Sequence, residues 1–391
     1  MRNGTSYYRS MSYLTDELLE TIRSRAERHD RENSFPHDDI ADLKAAGYFT
    51  AFVPKEFGGG GLSLAEMTRV QRELAGASPG TALGVNMHQV WVGVARVMHA
   101  AGLAEADFLF EAALNGEIFG FGISERGNDL VLFGSTSEAR PDGAGGYSFH
   151  GTKIFTSLSP VWTMLGTFGM DTTGESPMSV YGFIRRDGGG VTVKDDWDAL
   201  GMRASQSCTT VLEGAPCPPG RVLRRLAPGP TMDPVIFGIF SNFEILLAAV
   251  YTGIAERALE VAAEGVTKRH SLKNDAPYSS DPDIRWRLAS AAIQLDALSP
   301  QIETLARDVD EFTLERHGAL WLPRLSGLKV RATETARYVV DEAIRSMGGS
   351  SYFSRNELSR LYRDVLAGIF HPSDDESAHA AWANALLGPP Q

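Results

Sequence analysis

From about residue 14 to residue 115, apolar positions recur at helical spacing. Leu14, Leu18, Leu19 and Ile22 share one face. Asp39, Ile40, Leu43 and Ala46 begin a second helix, which Gly47 closes. A loop follows, set by Pro54 and the run Gly58 to Gly61. Ser63 then stands three residues before Glu66, the spacing of a capping box at the start of the next helix. Residues ~119–225 change period. YSFHGTKIF alternates, MSVYGFI and GVTVKD are β-rich stretches between glycines, and PDGAGG (Pro141 to Gly146) reads as a hairpin turn. From ~232 the helical period returns. Ile254, Ala258, Leu259 and Ala262 share a face, as do Leu328, Ala332, Ala336, Val339, Ala343 and Met347, until Gly348-Gly349 stops that helix. The order predicts an α+β chain, mostly α: a helical segment over 1–118, a β segment over 119–228 and a helical segment over 229–391. It is not the strand–helix alternation of a Rossmann fold.

Apolar residues make up 43% of the chain and charged ones 22%, enough for real cores. The net charge of −12 is spread along the chain, which argues against a nucleic-acid partner. The two cysteines, Cys208 and Cys217, make neither a disulfide framework nor a metal-ligand spacing, so no metal is expected. The N-terminus lacks the apolar stretch of a secretory signal. The most apolar window, Val235 to Ala255, is interrupted by Asn242 and Glu244 and reads as a buried bundle helix rather than a membrane span. A cytoplasmic location without membrane contact follows as the expectation. No GxGxxG between strand and helix, Walker loop, GxSxG elbow or HExxH is present. Any cofactor must be held in another way.

Five stretches, in order, resemble the acyl-CoA dehydrogenase family. They are FPHDDIADLKAAGYFTAFVPKEFGGGGLSLAEMTRVQRELA, FGFGISERGNDL, GTKIFTS, WDALGMRASQSCTTVLEGAPCP and AIRSMGGSSYFSRNELSRLYRD. No one of them is specific, but together they span nearly the whole chain. The resemblance implies the family's fold: an N-terminal helical domain, a middle β domain and a C-terminal four-helix bundle holding a flavin. It implies that Phe121, Ile123 and Ser124 contact the pyrimidine side of the ring, with Asn128 in the same turn, and that Phe155 and Ser157 flank the ring near N5. The plain alternative is that Phe121 and Phe155 are only strand core. Arg269, Met347, Gly348 and Gly349 match the groups that meet the flavin pyrophosphate across a subunit interface. A homodimer or homotetramer is therefore implied. A guanidinium supplies charge and a fork of donors, and glycine lets the backbone come close.

One departure decides the expected chemistry. A dehydrogenase of this family removes an α-proton with a carboxylate on the loop after the RD pair. Counting from Arg363-Asp364, that position is Pro372, preceded by His371. Asp374, Asp375 and Glu376 lie beyond and read as a solvated helix start. Some relatives carry the base on an earlier helix. Aligned on Gly253, that position is Phe243, with Glu244 as its neighbour. The chain is most similar to the branch without this base, the two-component flavin monooxygenases: desulfurisation enzymes, aromatic or indole hydroxylases and amino-sugar N-oxygenases. These take reduced FAD, with FMN also allowed, from a separate reductase and work through a flavin C4a-hydroperoxide in a dry pocket. The resemblance makes His371, His88 and Ser157 the candidates for catalysis, since a histidine handles protons near neutral pH. Each imidazole has the alternative of a satisfied, partly buried side chain. Met87, Trp91, Phe237 and Phe240 are the candidate substrate wall, suiting a hydrophobic, aromatic or indolic molecule. The competing expectations are an acyl-CoA or acyl-carrier dehydrogenase with a displaced carboxylate and a non-catalytic flavin- or acyl-binding scaffold.

Overall fold

The computed structural model describes residues 13–312 and 314–388; the reading of residues 1–12 as free of an apolar stretch lies outside them. Five helices come first: α1 (Asp16–Glu32), α2 (His37–Ala45), α3 (Leu64–Ala77), α4 (Pro79–Ala100) and α5 (Phe108–Leu114). Their ends follow local chemistry. Thr15 caps α1 by accepting from Leu18 N–H. Ser63 and Glu66 form both halves of the capping box at α3.

The strands are β1 (Phe119–Gly122), β2 (Glu138–Pro141), β3 (Tyr147–Lys153), β4 (Met164–Asp171), β5 (Met178–Arg185), β6 (Val191–Val193), β7 (Thr210–Cys217) and β8 (Val222–Leu226). They build one sheet in the order β6-β7-β3-β2-β4-β5-β8, with β1 running parallel to β4. The predicted turn at Pro141 to Gly146 joins the antiparallel β2 and β3.

The rest is helical apart from a small ribbon, β9 (His270–Ser271) with β10 (Ala276–Pro277). The helices are α6 (Pro234–Lys268), α7 (Pro282–Asp296), α8 (Leu298–Asp310), α9 (Leu314–His317), α10 (Trp321–Met347), α11 (Glu357–Val365) and α12 (Asp375–Leu387). Asp233 caps α6, with Pro234 in the first turn where its missing N–H is not needed. By length and composition α6 alone among the described helices could cross a membrane, but 94% of its most apolar stretch is buried against protein. It is the central helix of the bundle, between α10 on one side and α3 and α4 on the other. The approach of α3 is close: a Cβ on Gly253 would lie 2.3 Å from the Arg72 carbonyl oxygen. Gly348, at φ +69, ends α10 as the sequence predicts.

Candidate active site

Where the sheet meets α4, α6 and the loop before α12, a cavity of about 710 Å³ opens, the size of a small-molecule site. The end of β1 and the turn after it bring Phe121, Ile123, Ser124 and Asn128 to its wall; the loop after β3 brings Phe155 and Ser157. Leu83 and Met87 reach it from α4, and Phe243 from α6. His371 and Pro372 reach it from the loop before α12.

Two loops of unusual backbone make the floor. Phe155 (φ 55), Leu158 (φ 62), Met202 (φ 53) and Gln206 (φ 42) all lie in the left-handed region. Such conformations cost about 1–3 kcal/mol each and gather where function demands a fixed geometry. Backbone bonds tie the loops together: Thr156 N–H to Cys208 O, Leu158 N–H to Ser205 O and Ser159 N–H to Gln206 O. The result is a hydroxyl ladder, with Ser157 Oγ 2.7 Å from Ser207 Oγ and Ser205 Oγ 2.8 Å from Ser207 Oγ. Phe155 is exposed to the cavity and meets Trp197 edge-on at 6.2 Å. Phe121 stacks on Phe243 at 5.3 Å. The RD pair anchors the second loop: Asp364 Oδ1 accepts from Met202 N–H at 2.6 Å, and Arg363 donates to Leu200 O at 3.0 Å. Burial raises the Asp364 carboxyl to about 6.

Behind this wall, Glu125 and Lys153 form a fully buried ion pair at 2.5 Å. Glu125 also accepts from Ser135, Thr136, Ser137 and Asn128, so the turn bearing Ser124 and Asn128 is folded around one carboxylate. Lys153 holds Glu125 down at about 2, with help from the hydroxyls and against the opposing effect of burial. Burial pulls Lys153 to about 8. Glu125 has hydroxyl and amide donors besides the ammonium, so the ionised pair prevails at neutral pH.

His371 has a buried Nε2 with no hydrogen-bond partner among the described residues. Burial, and then the nearby Lys329 charge, lowers it to about 3. At working pH it is a neutral imidazole at the cavity wall. The ring lines the cavity while its Nε2 is covered by protein. A cavity of this size, lined by aromatic and aliphatic side chains and by Ser124, Ser157 and Ser207, fits a flavin ring.

Other sequence candidates sit elsewhere. His88 is fully buried one layer behind the cavity. Its Nδ1 accepts from Phe119 N–H at 3.1 Å, so its Nε2–H donates to Phe49 O at 2.8 Å, and it stacks on Phe119. Burial lowers it to about 4. With both nitrogens used, it braces β1 against the helices rather than lining the site. Of the four candidate wall residues, only Met87 lines the cavity. Trp91 fills the α4–sheet core and donates to Gly120 O; a Cβ on Gly166 would lie 2.2 Å from its ring. Phe237 packs on Trp321 at 5.1 Å, and Phe240 is half-buried away from the cavity. Leu83, Phe243, Trp197 and Ser207 are among the wall residues that the sequence does not place there. Arg269 and Met347-Gly348 do come together: Arg269 donates to Met347 O and lies over the Tyr278 ring. They are far from this cavity, since Arg269 follows Phe243 by about 39 Å along α6. Gly349 is exposed beside them.

Sequence profiles agree with this architecture. Residues 14–106 match the profile described as acyl-CoA dehydrogenase, N-terminal domain, and residues 245–375 that of acyl-CoA dehydrogenase, C-terminal domain. The chain belongs to the acyl-CoA dehydrogenase family. Relatives of this family include the amino sugar nitrososynthase RubN8 of Streptomyces rubradiris, 28% identical over 377 residues, covering 91% of this chain and 84% of that protein. Dibenzothiophene monooxygenase of Rhodococcus qingshengii is 27% identical over 374 residues, 90% of this chain and 88% of that one. Among solved structures, KijD3 in complex with FMN and a dTDP-amino-keto sugar superposes with a TM-score of 0.84 at 27% identity, over 96% of this chain and 92% of that one. Dehydrogenases of the family are also among the matches.

Pro372 and Phe243, the two positions that the resemblance implies for a dehydrogenase's proton-abstracting carboxylate, both line the cavity, and neither side chain can ionise. Glu244 turns away, accepting from Ser373 N–H at 3.0 Å and Ser373 Oγ at 2.9 Å. Asp374 caps α12 by accepting from Ser377 N–H at 2.9 Å, and Asp375 and Glu376 are exposed in its first turn. This is the solvated helix start that the sequence suggests.

Proposed function

We propose that this chain is the oxygenase component of a two-component flavin monooxygenase. Reduced FAD, with FMN accepted, is delivered by a separate NAD(P)H-dependent reductase, and a hydrophobic small molecule is oxygenated in the 710 Å³ cavity. The observation that carries the reading is that Pro372 and Phe243 line the cavity, so it offers no carboxylate at either position where the resemblance implies a dehydrogenase's base. The names of the relatives, nitrososynthase and dibenzothiophene monooxygenase, favour the same chemistry. The apolar wall of Leu83, Met87, Phe121 and Phe243 favours an aromatic or indolic substrate over a charged one. A cytoplasmic site of action belongs to the same proposal.

A reduced flavin bound there supplies the electrons that activate dioxygen. The chain's own part is to bind, to exclude water and to manage a proton. Phe121, Ile123, Ser124 and Asn128 hold one edge of the ring. Phe155 and Ser157 hold the other, with Ser157 oriented by Ser207. His371, a neutral imidazole on the cavity wall, handles the proton at the reacting face. His88 acts through the position of β1. The test is an anaerobic titration. The protein should bind reduced FAD more tightly than oxidised FAD, and acyl-CoA should fail to bleach oxidised flavin. Bleaching by acyl-CoA without oxygen would instead support the dehydrogenase.

Arg269, Met347, Gly348 and Gly349 belong to this proposal as pyrophosphate contacts to the flavin of a second subunit. Their distance from this chain's own cavity supports that reading, and with it a homodimer or homotetramer. Arg269→Ala should weaken flavin binding about 10–100-fold, since a charge-assisted bond contributes ~1.5–3 kcal/mol. An unchanged flavin Kd in a variant that still self-associates would make Arg269 a surface residue.

A further inference from the structure

The loop between α11 and α12 carries His371 and Pro372 to the cavity. Two ionisable groups on the central helices hold its backbone. Lys329, on α10 and 1% exposed, donates from Nζ to three backbone carbonyls of this loop, Gly368, His371 and Ser373, each at 2.8 Å. Glu244, on α6 and equally buried, takes the Ser373 N–H and hydroxyl. The two helices thus grip one short stretch from both sides, joined through Ser373.

The chemistry of the grip is specific. An ammonium has three donors, which match three carbonyls; a neutral amine has too few N–H groups, and a guanidinium has the wrong shape. Lys329 is therefore charged here, although burial opposes it, and burial raises the Glu244 carboxyl in turn. The backbone also lies flat on the helices: a Cβ on Gly368 would meet Thr333 Cγ2 at 2.4 Å and Tyr251 Cζ at 2.9 Å. Tyr251 in turn packs beside the His371 ring at 5.8 Å. Placing a lysine and a glutamate in a core is costly, and an apolar pair would fill the space more cheaply. An apolar pair would not, however, fix the height of the loop above the cavity.

We propose that Lys329 and Glu244 are positioning residues, which set the 368–373 loop so that the His371 ring stands at the cavity wall and Pro372 closes it. This rests on the monooxygenase reading of the cavity. A displacement of about 1 Å at a reacting group typically costs on the order of 100-fold. Lys329→Met is compared with the wild-type holoenzyme by hydrogen–deuterium exchange over residues 366–374, by reduced-FAD affinity, and by product and hydrogen peroxide formed per NADH in the presence of a flavin reductase. The expected result is faster exchange confined to this loop, a flavin Kd near that of the wild type and a fall in product per NADH of roughly 10–100-fold, with peroxide in its place. A purely structural role would move stability without this split. Glu244→Gln keeps an acceptor for Ser373 N–H and should shift exchange and coupling in the same direction by less. If Lys329→Met does not fold, Glu244→Gln and Ser373→Ala decide. Unchanged exchange in the folded variants overturns the proposal, as does faster exchange with full coupling. If the wild type itself yields no oxygenated product, the functional reading fails on its own, and unchanged exchange still overturns the positioning claim.

Discussion

His371→Ala should fold normally, bind reduced FAD and lose product by about 10²-fold or more, releasing hydrogen peroxide instead. The expectation rests on position and on protonation. The ring stands at the cavity wall, and its buried Nε2 has no hydrogen-bond partner among the described residues. Lowered to about 3, it stays neutral at every working pH. It therefore handles a proton as a neutral imidazole. The pH profile of product formation should show no titration of this group near its ordinary value of 6.5. The sign for stability follows. Between 6.5 and about 3 the unfolded chain binds a proton at this site and the folded chain does not, so stability falls as pH drops through that window. His371→Ala should soften that loss, which urea unfolding at several pH values will read. Asp374→Asn and Glu376→Gln are the controls. Asparagine caps a helix as well as aspartate does, and Glu376 is exposed, so both variants should keep most of the activity. A fully coupled His371→Ala beside a dead carboxylate variant would reverse the assignment.

Lys153→Met should be the most destabilising single change near the site. Removing one partner of a buried pair leaves the other charged and unpaired, at a cost of about 3–5 kcal/mol. Here it also strips a donor from Phe168 O and leaves Glu125 in the turn that presents Ser124 and Asn128. Unfolding in urea should show the loss, and flavin binding should weaken with it. A variant as stable as the wild type would mean that the pair is dispensable. Acid gives an independent check. Glu125 sits at about 2 in the fold against 4.5 ordinarily, so its contribution is full above 4.5 and is lost as pH falls from there towards 2.

The sequence shows some of this plainly and hides the rest for physical reasons. The capping box at Ser63 and Glu66, the hairpin at Pro141 to Gly146 and the stop at Gly348 are local signals, and local signals survive in a one-dimensional pattern. Lys153 is visible only as one residue of a strand, because its partner Glu125 lies in a different turn and nothing in the spacing joins them. The aromatic residues show the limit from the other side. Trp91 and Phe237 stand on helices buried all round, where periodicity cannot say which face meets a cavity and which meets the core. Phe243 lines the site while Phe240, three residues earlier, does not. Counting from Gly253 marks Phe243 as a replaced base but does not reveal it as a wall residue. His88 is hidden for the same reason, since its two hydrogen bonds go to Phe49 and Phe119 on other elements. The loop before α12 is the hardest case, because the residues that hold it, Glu244 and Lys329, lie on helices distant in the chain.

The central claim is that this cavity oxygenates rather than dehydrogenates. The most direct measurement supplies the protein with reduced FAD from a reductase and NADH under isotopically labelled dioxygen, with aromatic heterocycles and amino-sugar nucleotides as trial substrates, and reads the product by mass spectrometry. The account predicts one labelled oxygen atom in the product and no turnover without oxygen. An α,β-unsaturated acyl thioester formed from acyl-CoA with oxidised flavin, in the absence of oxygen, would contradict it.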